Sequence, residues 1–157
     1  MKISLDWIQD FVKLPSDISP EEMSDLITKH TAEVEEIIDV AKTFEKMVLG
    51  KIKTLKKHPG ADKLRLVQVD CGEKTHQIVC GGSNLKEDMQ VAVALPGSVV
   101  QWHGNETVEM KEGNIRGEDS FGMICAGEEI GLAEMQAHQS DDSHAILDLN
   151  HIEAAAG

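Results

Sequence analysis

The chain has 157 residues, 41% hydrophobic but only 3% aromatic, with 28 acidic side chains against 15 basic ones and a formal net charge of −13. That apolar share can bury the core of one ordinary domain with an appendage, which excludes a wholly disordered chain. The longest apolar run, near residues 91–96, falls far short of the ~20 residues a membrane-spanning helix needs, and Asp6 stands where a secretion signal has its apolar region.

In chain order, Ser4 reads as an N-cap, with Leu5, Ile8, Phe11 and Val12 near one helical face and Pro15 as the stop. Ser19-Pro20-Glu21-Glu22 predicts a second helix: serine at the cap, proline at the first helical position, and Glu22 able to reach back to the cap amide. Met23, Leu26, Ile27 and His30 supply its apolar face. Residues 32–40 carry Val34, Ile37, Ile38 and Val40 between acids and predict a strand. Residues 1–46 are therefore expected to form an α/β appendage of two helices and a strand.

From Met47 the apolar period falls toward 2. Residues 48–55 alternate apolar side chains with Lys51 and Lys53, and residues 64–71 set Val67, Val69 and Cys71 against Gln68 and Asp70. Further short runs at 77–80, 91–95, 107–110 and 122–125 are separated by Gly, Pro, Asn and Asp, and 145–149 is a last strand candidate. Short strands so spaced predict a closed or nearly closed antiparallel barrel after the appendage, an α+β chain overall.

Charge is uneven along the chain. Residues 128–157 contain no lysine or arginine, whereas within residues 51–65 Lys51, Lys53, Lys56, Lys57, Lys63 and Arg65 are opposed only by Asp62. A local cationic patch on an anionic protein suits a surface that meets phosphate where docking requires it. A solvated lysine-rich strand and turn is the plainer explanation of the same residues.

Catalytic signatures are missing. There is no Walker phosphate loop, no G-x-G-x-x-G after a strand and no G-x-S-x-G elbow. His138, His144 and His151, with Asp141 and Asp142, are spaced too irregularly to converge on a metal. Cys71, Cys80 and Cys125 form no C-x-x-C pair, which suits a reducing cytoplasm and not a disulfide scaffold or zinc site. His76 and Cys80 could share one strand face, but no orienting acid accompanies them, so Cys80 is read as a buried apolar residue.

Three segments say more. In Lys56-Lys57-His58-Pro59-Gly60-Ala61-Asp62-Lys63-Leu64, Pro-Gly turns the chain between strands, and Asp62 could close the loop by accepting backbone amides. In Ile78-Val79-Cys80-Gly81-Gly82-Ser83-Asn84, a buried strand runs into glycines that allow positive φ or close approach, then into two hydrogen-bonding side chains. In the segment Ile115-Arg116-Gly117-Glu118-Asp119-Ser120-Phe121-Gly122-Met123-Ile124-Cys125-Ala126, Arg116 offers a fork for phosphate. Ser120 and Met123 there offer a hydroxyl and a soft apolar surface for ribose or base.

Together and in this order, the three segments resemble the tRNA-binding OB-fold domain of free tRNA-binding proteins, methionine–tRNA ligase extensions and bacterial phenylalanine–tRNA ligase beta subunits. The start, Met1-Lys2-Ile3-Ser4-Leu5-Asp6-Trp7-Ile8, followed by the two-helix segment and Ala32-Glu33-Val34-Glu35, is similar to the beginning of that beta subunit. The resemblance implies a five-stranded OB barrel over residues 47–149, inserted into a split α/β domain. Residues 1–46 would be the first part of that domain and 150–157 the truncated start of its returning half. It further implies a cytoplasmic (αβ)2 heterotetramer that charges tRNA-Phe with phenylalanine using ATP and Mg2+. Catalysis is expected in the alpha subunit, and no catalytic site, cofactor or metal is expected in this chain. Carried over residue by residue, the tRNA-contacting positions are Asn84, Arg116, Ser120 and Met123, with Lys63 and Arg65 as neighbouring phosphate contacts. The alternative is a structural assembly module with no direct tRNA contact, favoured by the net negative charge and the scarcity of aromatic side chains.

Overall fold

The computed structural model describes residues 2–15, 17–102, 106–154 and 156–157. Its contacts divide the chain into two units, Met1–Asp39 and Val40–Gly157.

In the first unit, helix α1 (Leu5–Gln9) begins where Ser4 Oγ accepts the Trp7 N–H, and helix α2 (Pro20–His30) begins with a reciprocal capping box. Ser19 Oγ accepts the Glu22 N–H at 3.1 Å, and the Glu22 carboxylate accepts the Ser19 N–H at 3.0 Å. Neither helix buries a residue. Residues 32–39 form no strand, contrary to expectation. Strands persist only as members of a ladder, and among the described residues nothing pairs with this segment. The chain leaving α2 is instead tied back to that helix: Thr31 Oγ1 donates to the Ile27 carbonyl and Thr28 Oγ1 accepts the Val34 N–H.

Short helix α3 (Val40–Thr43) opens the second unit. Phe44 and Met47 pack against a buried cluster of this unit, and the Leu95 N–H donates to the Lys46 carbonyl.

The second unit is built on strands β1 (Met47–His58), β2 (Ala61–Asp70), β3 (Thr75–Cys80), β4 (Gln90–Ala94), β5 (Val99–Trp102), β6 (Glu106–Glu109), β7 (Gly113–Ile115), β8 (Glu118–Ser120) and β9 (Met123–Ile124). Five of them form one sheet in the order β3-β2-β1-β4-β9, every pair antiparallel. Strands β5–β6 and β7–β8 are separate hairpins. A short 3-10 turn (Glu128–Ile130) and helix α4 (Ala133–Ala137) follow. The architecture is α+β, with an antiparallel five-stranded sheet and short helices.

Strand period decides the core. Along β4, Val91 and Val93 enter one buried cluster with Ile52, Val67 and Ile78, while Ala92 and Ala94 enter a second with Val100, Cys125 and Leu147. Gly50 on β1 admits this packing, since a Cβ there would stand 2.6 Å from both Val69 Cγ1 and Val93 Cγ2.

Ala145, Ile146, Leu147 and Leu149 are buried, but residues 145–149 form no strand. Side-chain amides take the place of a ladder. Asn84 pairs with both backbone groups of Ile146, Gln139 with both of Asp148, and Gln136 Nε2 donates to the Ala145 carbonyl.

Candidate functional site

The β1–β2 turn is flanked by Lys56, Lys57, Lys63 and Arg65, four of the six cations of residues 51–65. Lys56, Lys57 and Lys63 are exposed and Arg65 is half-buried, its Nη1 donating to the Asp62 and Leu64 carbonyls. The patch is smaller than the sequence window implies. Lys51 lies 2.9 Å from Asp88 and Lys53 3.0 Å from Asp70, so two of the six cations meet carboxylates delivered by distant parts of the chain. Hydrogen bonds from these lysines hold both carboxyls below their usual range.

His58, not Asp62, closes the turn. Its Nδ1 accepts the Gly60 N–H at 3.0 Å, and its Nε2 lies 2.9 Å from the Ile115 carbonyl on β7. The carbonyl can only accept and the amide can only donate, so the imidazole is the neutral Nε2–H tautomer. This ring brings the β1–β2 turn beside the β7–β8 hairpin, whose exposed tip is Arg116-Gly117, both at positive φ.

The other anticipated contacts are placed differently. Ser120 is buried, its Oγ accepting the Val79 N–H at 3.0 Å and donating to the Gly122 carbonyl at 3.1 Å. The Phe121 N–H donates to the Gln77 carbonyl, and the Phe121 ring stacks on His76 at 4.0 Å, so β8 is joined to β3. Asn84 spends its side-chain amide on Ile146. Gly82 serves close approach and not positive φ: a Cβ there would sit 2.5 Å from Ile146 Cγ1. Met123 is half-buried on β9, against the second cluster. Arg116, Lys63 and Arg65 thus lie around one turn-and-hairpin junction, while Asn84 and Ser120 are engaged within the protein.

Beside the junction runs an open cleft of about 460 Å³, floored by Gly81 and Gly82 and walled by Trp102, Met110, Met123 and Glu129. Trp102 was not anticipated. It ends β5, a strand the sequence pattern did not predict, and its side chain is exposed. Burial raises the Glu129 carboxyl above its ordinary range, although the Ala126 N–H donates to it at 2.6 Å.

The remaining reactive side chains are quiet. Burial pushes the thiols of Cys71 and Cys80 up to about 11 and that of Cys125 to about 12, far from the thiolate a nucleophile needs. Asp142 accepts from Ser83 Oγ at 2.6 Å and from the His144 N–H, and these bonds lower its carboxyl. Among the described residues no group of three His, Cys, Asp or Glu side chains is disposed to hold a metal ion.

Residues 47–151 match the family described as a putative tRNA binding domain. The chain is similar to proteins named phenylalanine–tRNA ligase beta subunit. Identity is 43% over 134 residues with that of Oceanobacillus iheyensis, covering 85% of this chain and 16% of the relative. It is 46% over 135 residues with that of Bdellovibrio bacteriovorus, with the same two shares. With that of Chlorobaculum tepidum it is 42% over 152 residues, covering 96% of this chain and 18% of the relative. The chain therefore spans less than a fifth of the length of these curated relatives.

Proposed function

The chain belongs to the putative tRNA binding domain family, and from that premise we propose that it is the tRNA-binding and assembly region of a phenylalanine–tRNA ligase beta subunit. The observation that carries the proposal is the junction at which His58 joins the Lys57–Lys63 turn to the Arg116 hairpin, cations in an otherwise anionic chain. Lys63, Arg65 and Arg116 meet phosphate, because a guanidinium fork and exposed ammonium groups suit that anion. Met123 and the cleft beside it take apolar faces of ribose or base, and Asn84 and Ser120 act by holding the loops that shape the surface. The five-stranded sheet, with β8 bonded to β3, supports an OB-like barrel over residues 47–149.

By this reading the whole enzyme is a cytoplasmic heterotetramer with an alpha subunit. It uses ATP and Mg2+ to join phenylalanine to tRNA-Phe, and that chemistry lies outside this chain. Residues 1–46 and 150–157 belong to a split domain completed by other segments of the longer protein.

Titration of tRNA-Phe at several salt concentrations tests the proposal. Binding should weaken with salt at a log–log slope of about −0.7 to −0.9 per phosphate contact, and no binding at low salt would refute direct contact. A second reading, assembly without RNA contact, is favoured by the exposure of Trp7 and Phe11 in the first unit, 67% and 78%. Replacing Lys56, Lys57, Lys63 and Arg65 by Glu in the full enzyme separates the two: assembly alone predicts unchanged tRNA affinity.

A further inference from the structure

Hairpin β7–β8 is not part of the five-stranded sheet. A lone two-stranded ribbon is marginal in water, so its position must be set by what holds it. At its base, Val79 and Gln77 of β3 bond to Ser120, Phe121 and Asp119. Near its tip, the Ile115 carbonyl receives the His58 Nε2–H, and the Gly117 N–H is satisfied within the hairpin by Asn114 Oδ1 at 2.9 Å. A Cβ on Gly60 would lie 3.6 Å from the Arg116 carbonyl, so turn and tip are in van der Waals range. His58 is 4% exposed and sits fifty-seven residues from the carbonyl it binds.

We infer that His58 is a positioning residue for RNA binding: its two ring nitrogens fix the distance between the Lys57–Lys63 turn and Arg116, so that both cationic elements engage one stretch of phosphate. The inference rests on the tRNA reading above. The ring suits this task because one planar group both accepts from Gly60 and donates to Ile115. Glutamine in its place keeps a donor of similar reach but loses the Nδ1 acceptor. Asparagine keeps an acceptor near Gly60 but falls short of Ile115. Neither reproduces the coupling.

The test is a double-mutant cycle on the 157-residue chain, with a tRNA-Phe transcript at fixed low salt. His58→Gln should weaken binding by roughly 3- to 10-fold in the wild-type background, the range expected for one lost intramolecular hydrogen bond. In the Arg116→Ala background it should cost under about 2-fold, because the cation it positions is gone. Equal losses in both backgrounds would reveal general destabilisation and overturn the inference. Wild-type binding that neither Arg116→Ala nor His58→Gln alters overturns it too, and leaves the tRNA reading standing. Absence of wild-type binding overturns the tRNA reading and the positioning role together. Amide NMR without RNA is the second measurement. His58→Asn, should His58→Gln not fold, is expected to shift the Arg116 and Gly117 signals as well as that of Gly60. Unmoved hairpin signals would remove the coupling itself.

Discussion

Asn84 holds Ile146 as a neighbouring strand would. Its Nδ2 donates to the Ile146 carbonyl and its Oδ1 accepts the Ile146 N–H, both at 2.8 Å. Sixty-two residues separate them, and the bond pair keeps Ile146 over Gly82 and the first core cluster. Asn84→Asp keeps the acceptor but turns a second oxygen toward the carbonyl. The expected loss is about 1–3 kcal/mol, read by urea unfolding, since a partly buried carbonyl loses its donor. An unchanged midpoint would mean that Ile146 is held by packing alone.

Gly50 faces Val69 and Val93, both fully buried. Gly50→Ala should destabilise by roughly 1–3 kcal/mol through overpacking, against an entropic gain of about 0.5–1 kcal/mol from stiffening the unfolded chain. Adding Val69→Ala should return part of that loss, because it removes one of the two colliding methyls. Additive losses in the double variant would show that the collision is relieved by backbone movement.

Glu129 carries a carboxyl that burial raises above its ordinary value of 4.5. The folded state then holds this proton more tightly than the unfolded chain, so the group favours folding when protonated and opposes it when ionised. Stability falls as pH rises from about 4.5 through the folded titration of Glu129. Glu129→Gln keeps an oxygen for the Ala126 N–H without the charge. It should raise the Tm at pH 7 and make no difference well below pH 4.5. A Tm lowered at pH 7 would show that the charge-assisted bond to Ala126 outweighs desolvation.

Cys71, Cys80 and Cys125 should resist iodoacetamide in the folded chain at pH 8, because burial both hides the sulfurs and suppresses their thiolates. Mass spectrometry should find alkylation rising only as denaturant unfolds the sheet. Rapid modification of Cys80 in the native chain would revive a nucleophilic role for it.

Where neighbours in sequence are also neighbours in space, the structure was legible beforehand. The capping box of Ser19 and Glu22 forms as its spacing requires, and β1 to β4 follow the alternation of Val67, Val69, Val91 and Val93. Residues 32–39 and 145–149 form no strand for a common reason: their composition suits one, but pairing depends on what the fold sets alongside. One segment has no ladder partner among the described residues, and the other is bonded by side chains of Asn84, Gln136 and Gln139.

The candidate site divides along the same line. Chain order and composition alone determined that cations gather around Pro59-Gly60, that Arg116 offers a fork for phosphate, and that the three motif segments belong to one family. Tertiary structure decided that Asp70 and Asp88 pair with two of the lysines, that Ser120 and Asn84 face inward, and that His58 ties turn to hairpin. The physical reason is that charge pairing and hydrogen bonding act over a few ångströms. Only folding makes close neighbours of residues as distant in sequence as His58 and Ile115.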